Sequence, residues 1–193
     1  MSAQCGEFTI AGMSASPASA RERKRAAIGT AAFAVAPATA AGLVPWLLTR
    51  WEVESPVPGG VPAQITGALL IGAGAAVIAN SFVHFAVEGI GTPAPFAPPK
   101  RLVVGGLYRY VRNPIYVSIA AAVAGQGLLL GQPKLFVAVG IGAVPVVAFV
   151  RLYEEPALTR KFGAAYEEYR TNVPRWLPRL TPWRAEGPEP SPD

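Results

Sequence analysis

The sequence predicts an all-α integral membrane protein, a helical bundle of about four transmembrane helices followed by a C-terminal amphipathic helix. Three observations lead there. Hydrophobic residues make up 51% of the chain and charged residues only 15%, with a mean hydropathy of +0.33, whereas soluble domains carry about 25% charge. Apolar runs occupy residues 26–48, 65–87, 114–130 and 135–150, with polar segments between them. The Lys and Arg residues fall almost wholly on one side of the topology that these runs define.

Residues 1–20 are small, polar and aperiodic, and with the basic group Arg21, Arg23, Lys24 and Arg25 they form an expected disordered tail over 1–25. Met13 is an alternative start. The run 26–48 contains no charged residue. At about 1.5 Å per residue it crosses a hydrocarbon core of roughly 30 Å. Pro37 and Pro45 predict kinks in it. A signal peptide cut near Ala38-Thr39-Ala40 is the competing reading, and the length of the run and of its leader weighs against it.

A proline-rich loop over 51–62 leads into the run 65–87. There Ala68, Gly72 and Ala76 stand four apart, the spacing that lets helix backbones approach closely. Asn80, Ser81 and His84 lie toward its end; for His84 and the following Glu88 a packing or interfacial role is favoured. Residues 88–112 form a loop of a length that is usually functional or disordered. Asn113 is expected to cap the run 114–130, with Pro114 in its first turn. A tight turn at 131–134 joins it to 135–150, which is short and must thin the bilayer or continue through Arg151 and Tyr153. Leu158, Phe162, Ala165, Tyr166 and Tyr169 then recur at helical spacing and predict an amphipathic helix over 156–171. The proline-rich end, 181–193, is expected to be disordered, so 26–180 is read as a single domain.

Of the seventeen Lys and Arg residues, fifteen lie on the side that holds both termini and the 88–112 loop; only Arg50 and Lys134 lie on the other. The excess of positive charge places both termini and that loop in the cytoplasm. The plasma membrane of a bacterium is the expected location. The net charge of +5 does not indicate a nucleic-acid binder, because the basic residues are separated by long apolar runs. Cys5 is the only cysteine and His84 the only histidine. An intramolecular disulfide is therefore excluded, and no metal centre is expected. Gly105-Gly106 does not open a Gly-x-Gly-x-x-Gly pattern after a strand, and reads as a sharp turn rather than a dinucleotide loop.

Two charged segments flank the last hairpin, over 102–116 and 151–169. Because a tight turn joins the two apolar runs, their outer ends lie side by side, and Arg112 and Asn113 are expected near Arg151, Glu154 and Glu155. The first segment contains Gly106, Tyr108, Arg112, Asn113, Pro114 and Tyr116. It resembles the Gly-x-Tyr-x-x-x-Arg-His-Pro-x-Tyr motif of the isoprenylcysteine carboxyl methyltransferases and the related phospholipid N-methyltransferases. The second contains Glu154, Glu155, Leu158, Phe162, Gly163, Tyr166 and Tyr169. It is similar to the Glu-Glu-x-x-Leu-x-x-x-Phe-Gly-x-x-Tyr-x-x-Tyr motif of the same families, and Val173-Pro174-Arg175 matches their usual ending. The resemblance covers about residues 100–180.

The resemblance implies a membrane methyltransferase that uses S-adenosylmethionine and acts on a lipidic or isoprenoid acceptor, with membrane lipids as its surroundings and no nucleic-acid partner. The implied cofactor-binding set is Gly106, Tyr108, Arg112, Asn113, Pro114, Tyr116, Glu154 and Glu155, with Arg151 and Glu155 as catalytic candidates. The chemistry agrees in outline: carboxylates suit the donor's cationic groups, a forked guanidinium suits its carboxylate, and aromatic walls suit its adenine. A carboxylate acceptor needs no general base; an amine or hydroxyl does, and Glu154 or Glu155 is then the candidate. Asn113 departs from the commoner His and cannot shuttle a proton.

Plainer roles stand beside these. Arg112 could anchor to lipid phosphates, Tyr108, Tyr110 and Tyr116 could form an interfacial belt, Glu154 and Glu155 a solvated face, and Asn113 a cap alone. A sterol-reductase-like enzyme using NADPH and a non-catalytic membrane protein are the alternatives in function.

Overall fold

The computed structural model describes residues 35–88 and 102–184. The expected tail 1–25, the first part of the run 26–48, the middle of the 88–112 loop and residues 185–193 lie outside these, as do the side chains of His84 and Glu88. Every regular element among the described residues is helical. We label them α1 (Val35–Thr49), α2 (Gly60–Glu88), α3 (Pro114–Leu130), α4 (Lys134–Phe162) and α5 (Ala164–Asn172), with a single 3₁₀ turn at Gly106–Arg109 before α3.

Prolines shape two of these helices in the same way. In α1 the helix widens to a π-turn at Thr39–Leu43, two residues ahead of Pro45. Proline has no amide hydrogen, so the carbonyl four residues back, on Ala41, loses its usual donor. Gln126 Nε2 of α3 donates to that oxygen at 2.7 Å, and Gln126 Oε1 accepts from Trp51 Nε1 at 3.2 Å. The kink foreseen near Pro45 is thus a widened turn held by a neighbouring helix. In α4 the helix widens at Val150–Glu154, again two residues ahead of a proline, Pro156. Such a turn changes the face on which the following side chains emerge, by up to about 100° for one inserted residue. The residues so redirected are Glu154 and Glu155.

α2 and α3 form the closest packed pair. A Cβ on Gly67 would lie 2.5 Å from the Gly125 carbonyl oxygen, and one on Gly74 would lie 2.8 Å from the Ser118 carbonyl oxygen. As the residue number rises along α2, the opposing number falls along α3, so the two helices run antiparallel. Gly67, Gly74 and Ser81, at sevenfold spacing, are all buried. This overturns the expected contact stripe. Among the described residues Ala68, Gly72 and Ala76 are exposed, and a Cβ on Gly72 would meet nothing within 4 Å. Spacing by four identified a face of small residues, but the chain packs through the neighbouring one.

The α3–α4 turn is clasped by the segment that follows α1. Gly131 takes a left-handed conformation at φ 69°, Glu54 N donates to Leu130 O at 2.9 Å, and Gln132 Nε2 donates to Glu52 O at 2.9 Å. Leu135 is wholly buried beneath this clasp. The expected single amphipathic helix over 156–171 is instead the end of α4 followed by α5, broken at Gly163 with φ 53°. Tyr166, Tyr169 and Val173 form a small core packed against Leu102, Val104, Leu158, Phe162 and Trp183. Ala165 is exposed rather than inward.

Two helical stretches, Gly60–Ser81 and Lys134–Phe162, are long and apolar enough to cross a membrane. Val35–Thr49 and Pro114–Leu130 are apolar but shorter. On the two long stretches large apolar side chains face outward, among them Leu69, Val137, Ile141 and Val144, each more than half exposed. In water that surface would carry a large hydrophobic cost; against acyl chains it carries none.

The α2–α3 contact generates a prediction. Gly125→Val places its Cβ 2.7 Å from the Gly67 carbonyl oxygen and should destabilise the bundle by about 1–3 kcal/mol. Gly140→Val, at a position where a Cβ meets nothing within 4 Å, should melt like the parent. Thermal unfolding of the two variants in detergent makes the comparison.

Candidate functional site

At the end of the molecule opposite the clasp, the start of α3, the end of α4 and the segment after α5 meet. Gly106 opens the 3₁₀ turn with φ 53°, a conformation that only glycine adopts without strain. The turn buries Tyr108, whose hydroxyl faces Ser81 of α2. Tyr169 Oη of α5 donates to the Tyr108 carbonyl at 2.7 Å. Burial raises the pKa of both hydroxyls, so each keeps its proton and the Tyr169 donor persists in alkaline solution.

Arg112 and Glu155 lie at the centre. Arg112 Nη1 donates to Glu155 Oε1 at 2.8 Å and, more weakly, to Tyr166 Oη at 3.4 Å. Arg175 grips the same carboxylate from the other side, Nε to Oε1 and Nη2 to Oε2, each at 2.7 Å. The Arg112 and Glu155 side chains are only 9% and 10% exposed, so these charge-assisted bonds lie largely out of water. The hydrogen bond to Glu155 also raises the Arg175 pKa, which keeps it cationic. Two guanidiniums around one carboxylate leave one positive charge in excess. Arg112 Nε is sealed from solvent and has no acceptor among the described residues.

Glu154 sits one residue before this cluster and is held separately. Tyr116 Oη of α3 donates to Glu154 Oε2 at 3.2 Å. The Tyr116 ring lies 6.5 Å from that of Trp176, tilted at 59°, so an aromatic wall stands beside the carboxylate. The site therefore offers a cationic locus, an anionic locus and an aromatic face on adjacent turns.

Asn113 does not cap α3, for its side chain makes no hydrogen bond to the helix start. Asn113 Nδ2 instead donates to the Arg175 carbonyl at 3.1 Å. A cap would need Asn113 Oδ1 to accept from the first backbone N–H groups of α3; the bond from Nδ2 holds the side chain toward the C-terminal segment instead. Pro114 is buried at the first turn of α3. The structure thus brings together Tyr108, Arg112, Asn113, Pro114, Tyr116, Glu154 and Glu155, with Gly106 shaping the approach. It does not bring in Arg151, which is exposed and has no ion pair among the described residues. It adds Arg175 and Trp176, which were not among the expected site residues. Val173-Pro174-Arg175 stood out only as an ending, and nothing local in it announces a partner twenty residues back on α4.

The same C-terminal segment is bound along the approach to α3. Arg112 N donates to Pro174 O at 2.9 Å, Arg179 N to Tyr110 O at 3.0 Å and Trp183 N to Arg109 O at 2.9 Å, while Arg109 Nε returns a bond to Trp183 O at 2.7 Å. Trp183 also packs on Tyr169, ring centroids 5.6 Å apart.

Comparison with known proteins agrees with the two motifs. Residues 62–165 match the family model of phospholipid methyltransferases. Over 82 residues the chain is 36% identical to the protein-S-isoprenylcysteine O-methyltransferase of Schizosaccharomyces pombe, a match covering 41% of this chain and 34% of that protein. The chain thus spans about a third of the length of the curated relative it matches. No solved structure matches.

The Tyr169 bond can be tested apart from any activity. Tyr169→Phe removes one donor and leaves the buried Tyr108 carbonyl without it. The expected loss of stability is about 1–3 kcal/mol, read as a lowered melting temperature in detergent.

Proposed function

The chain belongs to the phospholipid methyltransferase family, and on that premise we propose that it is a membrane-embedded, S-adenosylmethionine-dependent methyltransferase acting on a lipidic or isoprenoid acceptor. The observation that carries the reading is the 2.8 Å contact between Arg112 and Glu155, which joins the two motifs into a single site. The donor's chemistry fits the residues present. Its amino-acid carboxylate suits Arg112, which has a buried Nε lacking an acceptor among the described residues and sits in a cluster with one positive charge in excess. Its cationic groups suit Glu154, only one oxygen of which is taken among the described residues, by Tyr116. Its adenine suits the Tyr116 and Trp176 rings. When bound, S-adenosylmethionine supplies an electrophilic methyl group.

The chain's own residues then bind, orient and exclude water. Glu155 is engaged by both arginines, so its role in this reading is to aim Arg112 rather than to take a proton. Glu154 has one oxygen unengaged among the described residues and is the group able to accept a proton from an amine or hydroxyl acceptor. Arg151, exposed and apart from the cluster, belongs with the basic residues that face lipid headgroups. Methyl transfer is an in-line displacement, and alignment in a desolvated site is the main contribution a protein can make to it.

The reading places α1 and α3 in the bilayer alongside the two longer helices. α3 spans about 25 Å at 1.5 Å per residue and packs along α2, which is long enough to cross. The uneven distribution of Lys and Arg then sets both termini and the site in the cytoplasm. The donor enters from that side, and the acceptor from the bilayer between helices.

Calorimetry on the full chain in detergent tests this. S-adenosylmethionine should bind and NADPH should not, and Arg112→Ala should abolish the binding while the protein still melts cooperatively. Failure of the parent to bind the donor would dismiss the proposal. Mass spectrometry of membrane lipids and small isoprenoids, with and without the gene, should then show an acceptor heavier by one methylene unit.

A further inference from the structure

We propose that Arg175 is a positioning residue for donor binding, acting through Glu155 on Arg112; this rests on the methyltransferase reading above. A lone Arg112–Glu155 contact would leave both side chains free to turn, because Arg112 reaches Glu155 through one nitrogen only. Arg175 removes that freedom. Its Nε and Nη2 bind both oxygens of Glu155 in the parallel fork that fixes a carboxylate plane. Oε1 is then shared between Arg175 Nε and Arg112 Nη1, so the plane set by Arg175 determines where the Arg112 guanidinium lies. The rest of that guanidinium is left for a ligand's carboxylate.

Arg175 is itself held. Its carbonyl accepts from Asn113 Nδ2 at 3.1 Å, and the carbonyl before it, on Pro174, accepts from Arg112 N at 2.9 Å. Residues 112 and 113 thus fix the backbone of the residue that fixes Glu155, and a closed loop of contacts results. This gives Asn113 a function that needs no proton shuttle: its amide anchors the segment carrying Arg175. Arg175 is 25% exposed, against 9% for Arg112, as befits a group at the rim that orients one placed deeper.

A double-mutant cycle on the full-length protein in detergent, read as S-adenosylmethionine affinity by calorimetry, tests the assignment. Arg175→Lys keeps the charge but cannot form the fork. It should weaken binding about tenfold while the melting temperature without ligand stays close to the parent's. In an Arg112→Lys background, the same change should weaken binding no further, because the residue it acts on is already lost. Parental affinity in Arg175→Lys overturns the inference, and so does a full tenfold additional loss in the double variant. Should Arg175→Lys lose cooperative melting, Arg175→Gln, which retains an amide donor for Glu155, replaces it in the same cycle under the same criteria. A parent protein that does not bind S-adenosylmethionine at all removes the methyltransferase reading and this inference together, whereas parental affinity in the variant removes this one alone.

Discussion

The Glu155 carboxylate, gripped between two guanidiniums, is the interaction on which the arrangement of the site depends. Three segments distant in sequence end on it: the start of α3 through Arg112, the widened turn of α4 through Glu155 itself, and the C-terminal segment through Arg175. Buried ions are costly unless paired, and removing one partner leaves the other charge uncompensated. Withdrawing the turn that carries Glu155 would leave both guanidiniums without their common partner, whereas losing either arginine still leaves one Arg–Glu pair. Such a cluster fixes where the three segments meet.

The apolar part of the chain makes this junction possible. α2 and α3 meet along Gly67, Gly74, Ser118, Ala122 and Gly125 with almost no side chain between them, and the clasp around Gly131 holds the far end of the hairpin. In a bilayer, helices associate through close van der Waals packing and internal hydrogen bonds rather than through expulsion of water. Gln126 supplies one such bond, closing the carbonyl that Pro45 leaves open. Helices fixed at one end by these contacts present their other ends at reproducible positions, and the charged cluster is built there. The π-turn of α4 completes the placement by turning Glu154 toward Tyr116 and Glu155 toward Arg112.

Much of this was legible in the sequence. A tight turn between two apolar runs forces their outer ends together, so chain connectivity led to Arg112 beside Glu154 and Glu155; it led equally to Arg151, which lies apart from them. The inward face of Tyr166 and Tyr169 followed from helical period. What was not legible depends on which of several equivalent partners is chosen. Ala and Gly are so frequent along α2 that spacing cannot distinguish the Gly67–Gly74 face from the Ala68–Gly72–Ala76 face; only the facing residues of α3 decide it. Asn113 could cap a helix or reach a neighbouring carbonyl with equal local merit, and the Arg175 carbonyl wins because the C-terminal segment lies beside it. Arg175 was invisible as a site residue because its partner is reached only after Gly163 breaks the helix and α5 turns the chain back.

The most direct measurement of the central claim is the stability of Glu155→Ala, followed with limited proteolysis of the full-length protein in detergent. If the carboxylate holds the junction, two guanidiniums lose their common partner. The variant should then be destabilised by about 3–5 kcal/mol, with cleavage appearing first in the segment after α5. A variant that melts with the parent and resists protease equally would contradict the account.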